Sequence, residues 1–212
     1  DIETLKGGDW YKNVMSDIER KSYFVASSGD SVNSINPKQK MQAVYRTDGF
    51  TLSNMPDRHD PAKLENSIPD SSSRQNWKLN MRVQGLYADG VLAISNDPDP
   101  KIATDTSEVT FTHHNQLVVQ YQNREDGVRQ NFIVKNKPSV NAQELRVKMK
   151  FSGEWTVNQA DPNELQFALE NKEGELTTKV IYKDIKAWDA NGNILAARME
   201  TGKDHDFSLV VA

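Results

Sequence analysis

The segment Gln116-Leu-Val-Val-Gln-Tyr-Gln122 decides the fold class of this chain, because its apolar residues recur at every second position. Side chains of an extended strand alternate between its two faces, so Leu117, Val119 and Tyr121 share one face. After a turn that contains Asp-Gly, residues 128–134 alternate in the same way. This pattern predicts half-buried antiparallel strands joined by a hairpin.

Period-two alternation continues from this hairpin to the end of the chain, with turn signals at intervals of about 8–15 residues. Earlier in the chain, residues 41–46 and 50–53 flank an Asp-Gly turn, and residues 77–83 alternate again. We therefore predict an all-β protein with one short N-terminal helix. The expected architecture is an antiparallel β-sandwich, with two stacked β subdomains as the alternative arrangement.

The predicted helix covers residues 10–20. Trp10, Val14, Met15 and Ile18 recur at helical spacing, and Asp9 is a suitable N-cap. We expect this helix to pack on a sheet, with binding to a partner as the alternative.

Two Pro- and Asp-rich segments divide the chain. Residues 55–76 show little periodicity and read as a long loop, and residues 96–101 read as a boundary. We predict an N-terminal subdomain over residues 1–96, with the helix and the loop at 55–76. A second antiparallel β subdomain covers residues 97–212, and a core shared by the two halves is the alternative.

Composition restricts the function class. The net charge is -4, and the basic residues form no stripe, so nucleic acid is not the expected partner. No apolar run is long enough for a transmembrane segment. The chain has no cysteine, which excludes disulfides and thiol chemistry. Cysteine-free β proteins are common among exported bacterial proteins, and this favours export.

Acidic and histidine residues supply the candidate metal ligands. Asp97, Asp99 and Asp105 surround a Pro-rich loop, and carboxylate oxygens of this kind bind calcium. A site built from histidines needs residues distant in sequence, and His113 and His114 point to opposite faces if both lie on a strand. We expect no cofactor, with weak calcium binding as the alternative.

No motif of an enzyme is present. The chain lacks a Gly-x-Ser-x-Gly elbow and a Gly-rich phosphate loop. Its Asp and Glu residues are so numerous that their presence does not indicate a catalytic pair. We therefore expect a protein without catalytic activity.

Trp188 is the candidate ligand-binding residue. Trp77 and Trp155 alternate in step with the inward-facing residues of their strands, so they are expected in the core. Trp188 falls on the opposite face from Ile185 and Ala187 and lies next to a turn. An exposed indole ring can stack on a sugar, so a carbohydrate-binding or carbohydrate-processing module is one alternative.

Three segments carry a family resemblance over residues 109–212. They are Val128-Arg-Gln-Asn-Phe-Ile-Val134, Leu145-Arg-Val-Lys-Met-Lys-Phe-Ser-Gly153 and Lys179-Val-Ile-Tyr-Lys-Asp-Ile-Lys-Ala-Trp-Asp189. This half resembles the uncharacterised N-terminal β-rich domain of secreted, type IX secretion-associated Bacteroidota surface proteins. The Pro-Gly-rich turn that usually follows the second strand in that family is replaced in this chain by Asn136-Lys-Pro-Ser139.

The resemblance implies a non-catalytic module of a secreted or cell-surface bacterial protein, serving adhesion, assembly or display. Its expected partner is a protein or glycan at the cell surface. A secretion or assembly factor that pairs strands with a client is a further alternative.

Overall fold

The computed structural model describes residues 9–29, 31–55, 76–138 and 141–212. These residues form one helix, α1 (Asp9–Lys21), followed by β-strands. The strands are β1 (Ala26–Ser28), β2 (Ser31–Asn36), β3 (Met41–Arg46), β4 (Gly49–Asn54), β5 (Lys78–Ala88), β6 (Val91–Ile94), β7 (Lys101–Asp105), β8 (Glu108–His113), β9 (Leu117–Arg124), β10 (Gly127–Val134), β11 (Leu145–Ser152), β12 (Thr156–Asp161), β13 (Glu164–Glu170), β14 (Leu176–Lys183), β15 (Ala187–Trp188), β16 (Ile194–Leu195), β17 (Ala197–Thr201) and β18 (Asp206–Val211).

All strand pairs described are antiparallel. The main sheet has the order β1-β2-β3-β4-β5-β11-β18-β17, and β6 pairs with the end of β5. A four-stranded sheet has the order β10-β9-β8-β7, and a three-stranded sheet has the order β12-β13-β14. Strands β15 and β16 form a separate two-stranded hairpin. The predicted fold class, all-β with one short helix and packed antiparallel sheets, is confirmed.

One face of the main sheet packs against both smaller sheets. Phe50, Met81 and Phe151 are cross-strand neighbours and therefore share this face. The Phe50 ring lies 5.2 Å from the ring of Tyr121 in the four-stranded sheet. The Phe151 ring lies 5.3 Å from that of Phe167 in the three-stranded sheet. The main sheet is therefore one layer of the sandwich, and the two smaller sheets form the other.

The alternation predicted for residues 116–122 is present in the structure. Leu117, Val119 and Tyr121 are buried, and the residues between them are half-buried. Trp155 is buried as expected, and Trp77 is half-buried against it with a ring separation of 6.1 Å.

Strands from both sides of the predicted boundary at residues 96/97 belong to the main sheet. Strands β1 to β6 come before this point, and β11, β17 and β18 come after it. Buried apolar side chains from both parts form one cluster. The loop predicted at 55–76 lies almost entirely outside the described residues.

Buried hydrogen bonds tie the two layers together. The side-chain amide of Asn36 on β2 donates to Asn123 Oδ1 on β9 over 3.0 Å. The Asn123 amide in turn donates to the carbonyl oxygens of Ile35 and Tyr23, at 2.8 and 3.0 Å. Both asparagines are almost completely buried, so these bonds satisfy groups that water cannot reach.

A second polar chain joins the two smaller sheets. The Tyr182 hydroxyl donates to Gln130 Oε1 over 2.9 Å, and Gln130 Nε2 donates to the Tyr121 hydroxyl oxygen over 3.2 Å. Burial raises the pKa values of Tyr121 and Tyr182 well above the usual range, so both remain neutral donors or acceptors.

Helix α1 differs from the prediction in its packing. It begins at Asp9, one residue before the predicted start, and none of its residues is buried. Trp10, Met15 and Ile18 are exposed by 72%, 45% and 56%. The expectation that this helix packs on a sheet is wrong. No helix among the described residues combines the length and apolarity that crossing a membrane requires.

Candidate functional site

The β15–β16 hairpin carries two large apolar side chains at the surface. Trp188 and Ile194 are direct cross-strand partners in this hairpin. Their side chains therefore lie on the same face, with Cβ atoms about 4.5–5.5 Å apart. Trp188 is 56% exposed and Ile194 is 91% exposed. We call this pair the Trp188–Ile194 surface.

The turn between these strands is held by one carboxylate. Asp189 Oδ1 accepts the backbone N–H groups of Asn191 and Asn193, at 2.8 and 2.9 Å, and Oδ2 accepts the Asn193 side-chain amide at 2.9 Å. Backbone bonds join Asp189 to Asn193 and Gly192 to Asp189, at 3.0 and 3.1 Å. Gly192 has a φ of 83°, which a residue without a Cβ adopts at little cost.

These bonds also affect the charge of the turn. The side-chain amide and backbone N–H of Asn193, followed by the N–H groups of Asn191 and Gly192, hold the pKa of Asp189 below its usual value. The carboxylate is therefore anionic at neutral pH, and its oxygens are occupied by donors. The hairpin therefore presents its apolar pair on a locally ordered turn.

Sequence reasoning identified Trp188 but not Ile194. The signal was available, because a five-residue turn from Asp189 to Asn193 places residue 188 opposite residue 194. Each of the two strands contains only two residues, which is too short to show an alternating pattern in the sequence.

The candidate metal ligands Asp97, Asp99 and Asp105 do not converge. Asp97 Oδ1 accepts the backbone N–H of Asp99 at 3.1 Å, so these two residues form a local turn. Asp105 lies at the far end of β7, paired with Glu108. Within the described ranges, no three His, Cys, Asp or Glu side chains are grouped as metal ligands.

Both adjacent histidines contact Asp97, although the sequence predicted opposite directions for them. His113 ends β8, and its Nδ1 atom accepts the Asp97 N–H at 3.0 Å. His114 lies in the following turn with a φ of 48°, and its Nδ1 atom is 3.5 Å from Asp97 Oδ2. The expectation of opposite faces applied to two residues on a strand, and that condition is not met because His114 has left the extended conformation that makes neighbouring side chains alternate.

Ser95 completes a Ser-His-Asp arrangement at this position. Its Oγ atom lies 3.4 Å from His114 Nε2, and Asp97 Oδ2 also accepts the His114 backbone N–H at 3.2 Å. Hydrogen bonds from the N–H groups of Asp99 and His114 hold the pKa of Asp97 below its usual value. Ser95 and His114 are both exposed on the surface. The arrangement joins the loop after β6 to the turn after β8.

Of the other two histidines, the structure describes His205. The ring of His205 stacks on Phe151 with the ring centres 4.8 Å apart. His59 is outside the described residues. Among the described histidines, the structure therefore brings together His113 and His114.

The fold and its exposed hairpin define a class of protein: a β-sandwich whose second layer is built from two small antiparallel sheets. In comparisons with protein-family models, curated proteins and solved structures, no significant match to the chain was found.

Proposed function

We propose that this chain is a non-catalytic module of a secreted or cell-surface bacterial protein, serving adhesion, assembly or display. In this proposal, the Trp188–Ile194 surface makes the contact with a protein partner. The exposure of this apolar pair on an ordered hairpin is the observation that carries the proposal.

The energetics of association support this role for the hairpin. Trp is among the residues most enriched at the interface positions where truncation of the side chain to alanine costs the most binding free energy. Burying Trp188 and Ile194 against a partner removes apolar surface from water, which is the main favourable contribution to association. The Asp189 hydrogen bonds order the turn before binding, so less conformational entropy is lost there.

The resemblance supports the proposed location. Its three segments fall on β10, β11 and the stretch from β14 to β15, and the last of them ends at the hairpin turn. The chain also lacks cysteine, and cysteine-free β proteins are common among exported bacterial proteins.

Surface labelling tests the proposed location. An antibody against this chain is applied to intact and to lysed cells of the organism that encodes it, and a cytosolic protein is followed as a control. We expect labelling of intact cells or recovery from the medium. Labelling that requires lysis, in parallel with the cytosolic control, would contradict the proposal.

A carbohydrate-binding module is the second candidate, favoured by the 56% exposure of Trp188. An indole face of this kind can stack on a sugar ring. Screening the chain on a glycan array and following tryptophan fluorescence with the best glycan tests this function. Binding that Trp188→Ala abolishes and Trp10→Ala preserves supports it, because both tryptophans are exposed. A flat response across the array would eliminate it.

A further inference from the structure

We propose that β7 is a self-pairing edge, through which two copies of this chain associate antiparallel about a two-fold axis at Ala103. This inference is independent of the proposed function, because it uses a different strand and does not involve the Trp188–Ile194 surface.

Strand β7 is one of the two edge strands of the four-stranded sheet, the other being β10. It pairs with β8, and no other described strand pairs with it. Lys101, Ile102, Ala103, Thr104 and Asp105 are all exposed. The next residue along the chain, Thr106, already accepts the N–H of Val25 at 2.8 Å, so the free edge ends at Asp105.

The hydrogen-bond pattern of β8 shows which backbone groups of β7 face outward. Asn123 on β9 donates its N–H to the carbonyl oxygen of Ser107, the residue before β8. Ser107 and the odd-numbered residues of β8 therefore bond to β9. Glu108 and Thr110 therefore bond to β7, through their partners Asp105 and Ala103. Since bonding directions alternate along an antiparallel strand, Ile102 and Thr104 present their N–H and C=O groups at the free edge.

A two-fold axis at Ala103 satisfies these outward groups. It places Ile102 of one copy opposite Thr104 of the other, where the two residues exchange both backbone hydrogen bonds. Ala103 meets Ala103 on the axis, and its small side chain permits close approach. The symmetric, isologous contact closes after two copies.

The charges at the ends of the strand complement each other in this arrangement. The axis places Lys101 of one copy opposite Asp105 of the other, and symmetry repeats the pair. Directly opposed side chains lie on one face, with Cβ atoms about 4.5–5.5 Å apart. Opposite charges stabilise such a pair, so the sequence of β7 matches its own antiparallel copy.

The β17 edge of the main sheet is covered by residues of β12 and by Pro162. Gln159 on β12 donates its side-chain amide to the Met199 carbonyl oxygen over 2.7 Å, and its Oε1 atom accepts the Thr201 N–H over 3.3 Å. The Met199 N–H donates to the Pro162 carbonyl oxygen over 2.6 Å. These contacts occupy backbone groups that another strand would need. Strand β7 has no such cover among the described residues.

Sedimentation velocity of the whole 212-residue chain, from micromolar to millimolar concentration, tests the self-pairing. We expect the weight-average mass to approach twice that of the monomer. Lys101→Asp and Asp105→Lys each place like charges opposite each other, so each variant should dimerise about tenfold more weakly or worse. Thr104→Pro removes an outward N–H without removing a bond to β8, and it should also abolish dimerisation.

A charge exchange separates this mechanism from misfolding. Mixing Lys101→Asp with Asp105→Lys places opposite charges at both ends of the strand pair, so the mixture should dimerise more tightly than either variant alone. The double variant K101D/D105K should dimerise by itself for the same reason. A wild-type chain that stays monomeric at millimolar concentration, or a mixture that fails to associate, would overturn the proposal.

Discussion

Arg146 and Glu200 are joined across an intervening strand, with Arg146 Nη1 donating to Glu200 Oε2 over 2.6 Å. Arg146 is on β11, Glu200 is on β17, and β18 runs between them. Glu144 and Arg198 complete a ring of alternating charges. Val210 on β18 is the cross-strand partner of Arg146 and is fully buried, so the ring covers an apolar residue on the outer face of the sheet.

We expect the Arg146–Glu200 pair to have a measurable coupling energy. Its side chains are exposed by 24% and 34%, and networked pairs of this kind contribute about 0.5–1 kcal/mol. A double-mutant cycle with Arg146→Met and Glu200→Gln, followed by urea unfolding, measures this energy. It should decrease as salt is added. The pair Lys150–Asp206, at 4.0 Å and more exposed, is the control and should give a coupling near zero. Equal coupling in both pairs would contradict this expectation.

The buried Asn123 should contribute strongly to stability. Asn123→Ala removes the donor for Ile35 and Tyr23 and the acceptor for Asn36, leaving buried polar groups without partners. We expect the free energy of unfolding to fall by about 1–3 kcal/mol. Asn158→Ala, at an exposed position on β12, is the matched control and should change it by less than about 0.5 kcal/mol. Similar losses in the two variants would show that the buried network is unimportant.

Stability should fall between neutral pH and about pH 5 because of His113. Burial, the largest effect, lowers the pKa of this histidine in the folded state, and it outweighs the opposing effect of Asp97. The unfolded chain therefore binds a proton at a higher pH, near its usual pKa of about 6.5. Stability from this group is complete above that pH and is lost as the pH falls below it.

Urea unfolding across this pH range measures the effect. The variant His113→Gln retains a side-chain acceptor but does not titrate, so its stability should depend less on pH between 5 and 7. An unchanged pH dependence in the variant would assign the effect to other groups.

Asp189 should control the order of the exposed hairpin. Asp189→Ala removes the acceptor for the Asn191 and Asn193 N–H groups, so these amides should exchange with solvent faster. Asn171 has the same role in the turn between β13 and β14, where its Oδ1 atom accepts the N–H groups of Glu173 and Glu175. Asn171→Ala should therefore leave exchange at the hairpin unchanged. Hydrogen exchange measured by NMR distinguishes the two variants, and unchanged exchange in Asp189→Ala would contradict the assigned role.

The fold class was predictable wherever a strand has one apolar and one polar face. Residues 117–121 satisfy this condition, and the hairpin of β3 and β4 has a recognisable Asp-Gly turn. Strand β2 was missed because its inward residues include Ser34 and Asn36. These polar side chains are buried only because Tyr45 and Asn123 supply hydrogen bonds.

Exposure and pairing were harder to predict than strand positions. Helix α1 has an apolar face in the sequence, but that face does not reveal whether another element covers it. Strand β7 is exposed at every position, so it shows no burial pattern to detect. Trp188 is identifiable as a residue next to a turn, whereas its pairing with Ile194 requires the register of the hairpin.

Adhesion of coated beads to cells tests directly whether the Trp188–Ile194 surface makes the contact with a partner. Beads carrying the wild-type chain, Trp188→Ala, Ile194→Ala or the matched control Trp10→Ala are applied to intact cells of the encoding organism under flow. We predict that wild-type and Trp10→Ala beads are retained equally and that both hairpin variants detach. Equal retention of all four kinds of bead, or equal loss of the Trp10 and Trp188 variants, would contradict this role of the Trp188–Ile194 surface.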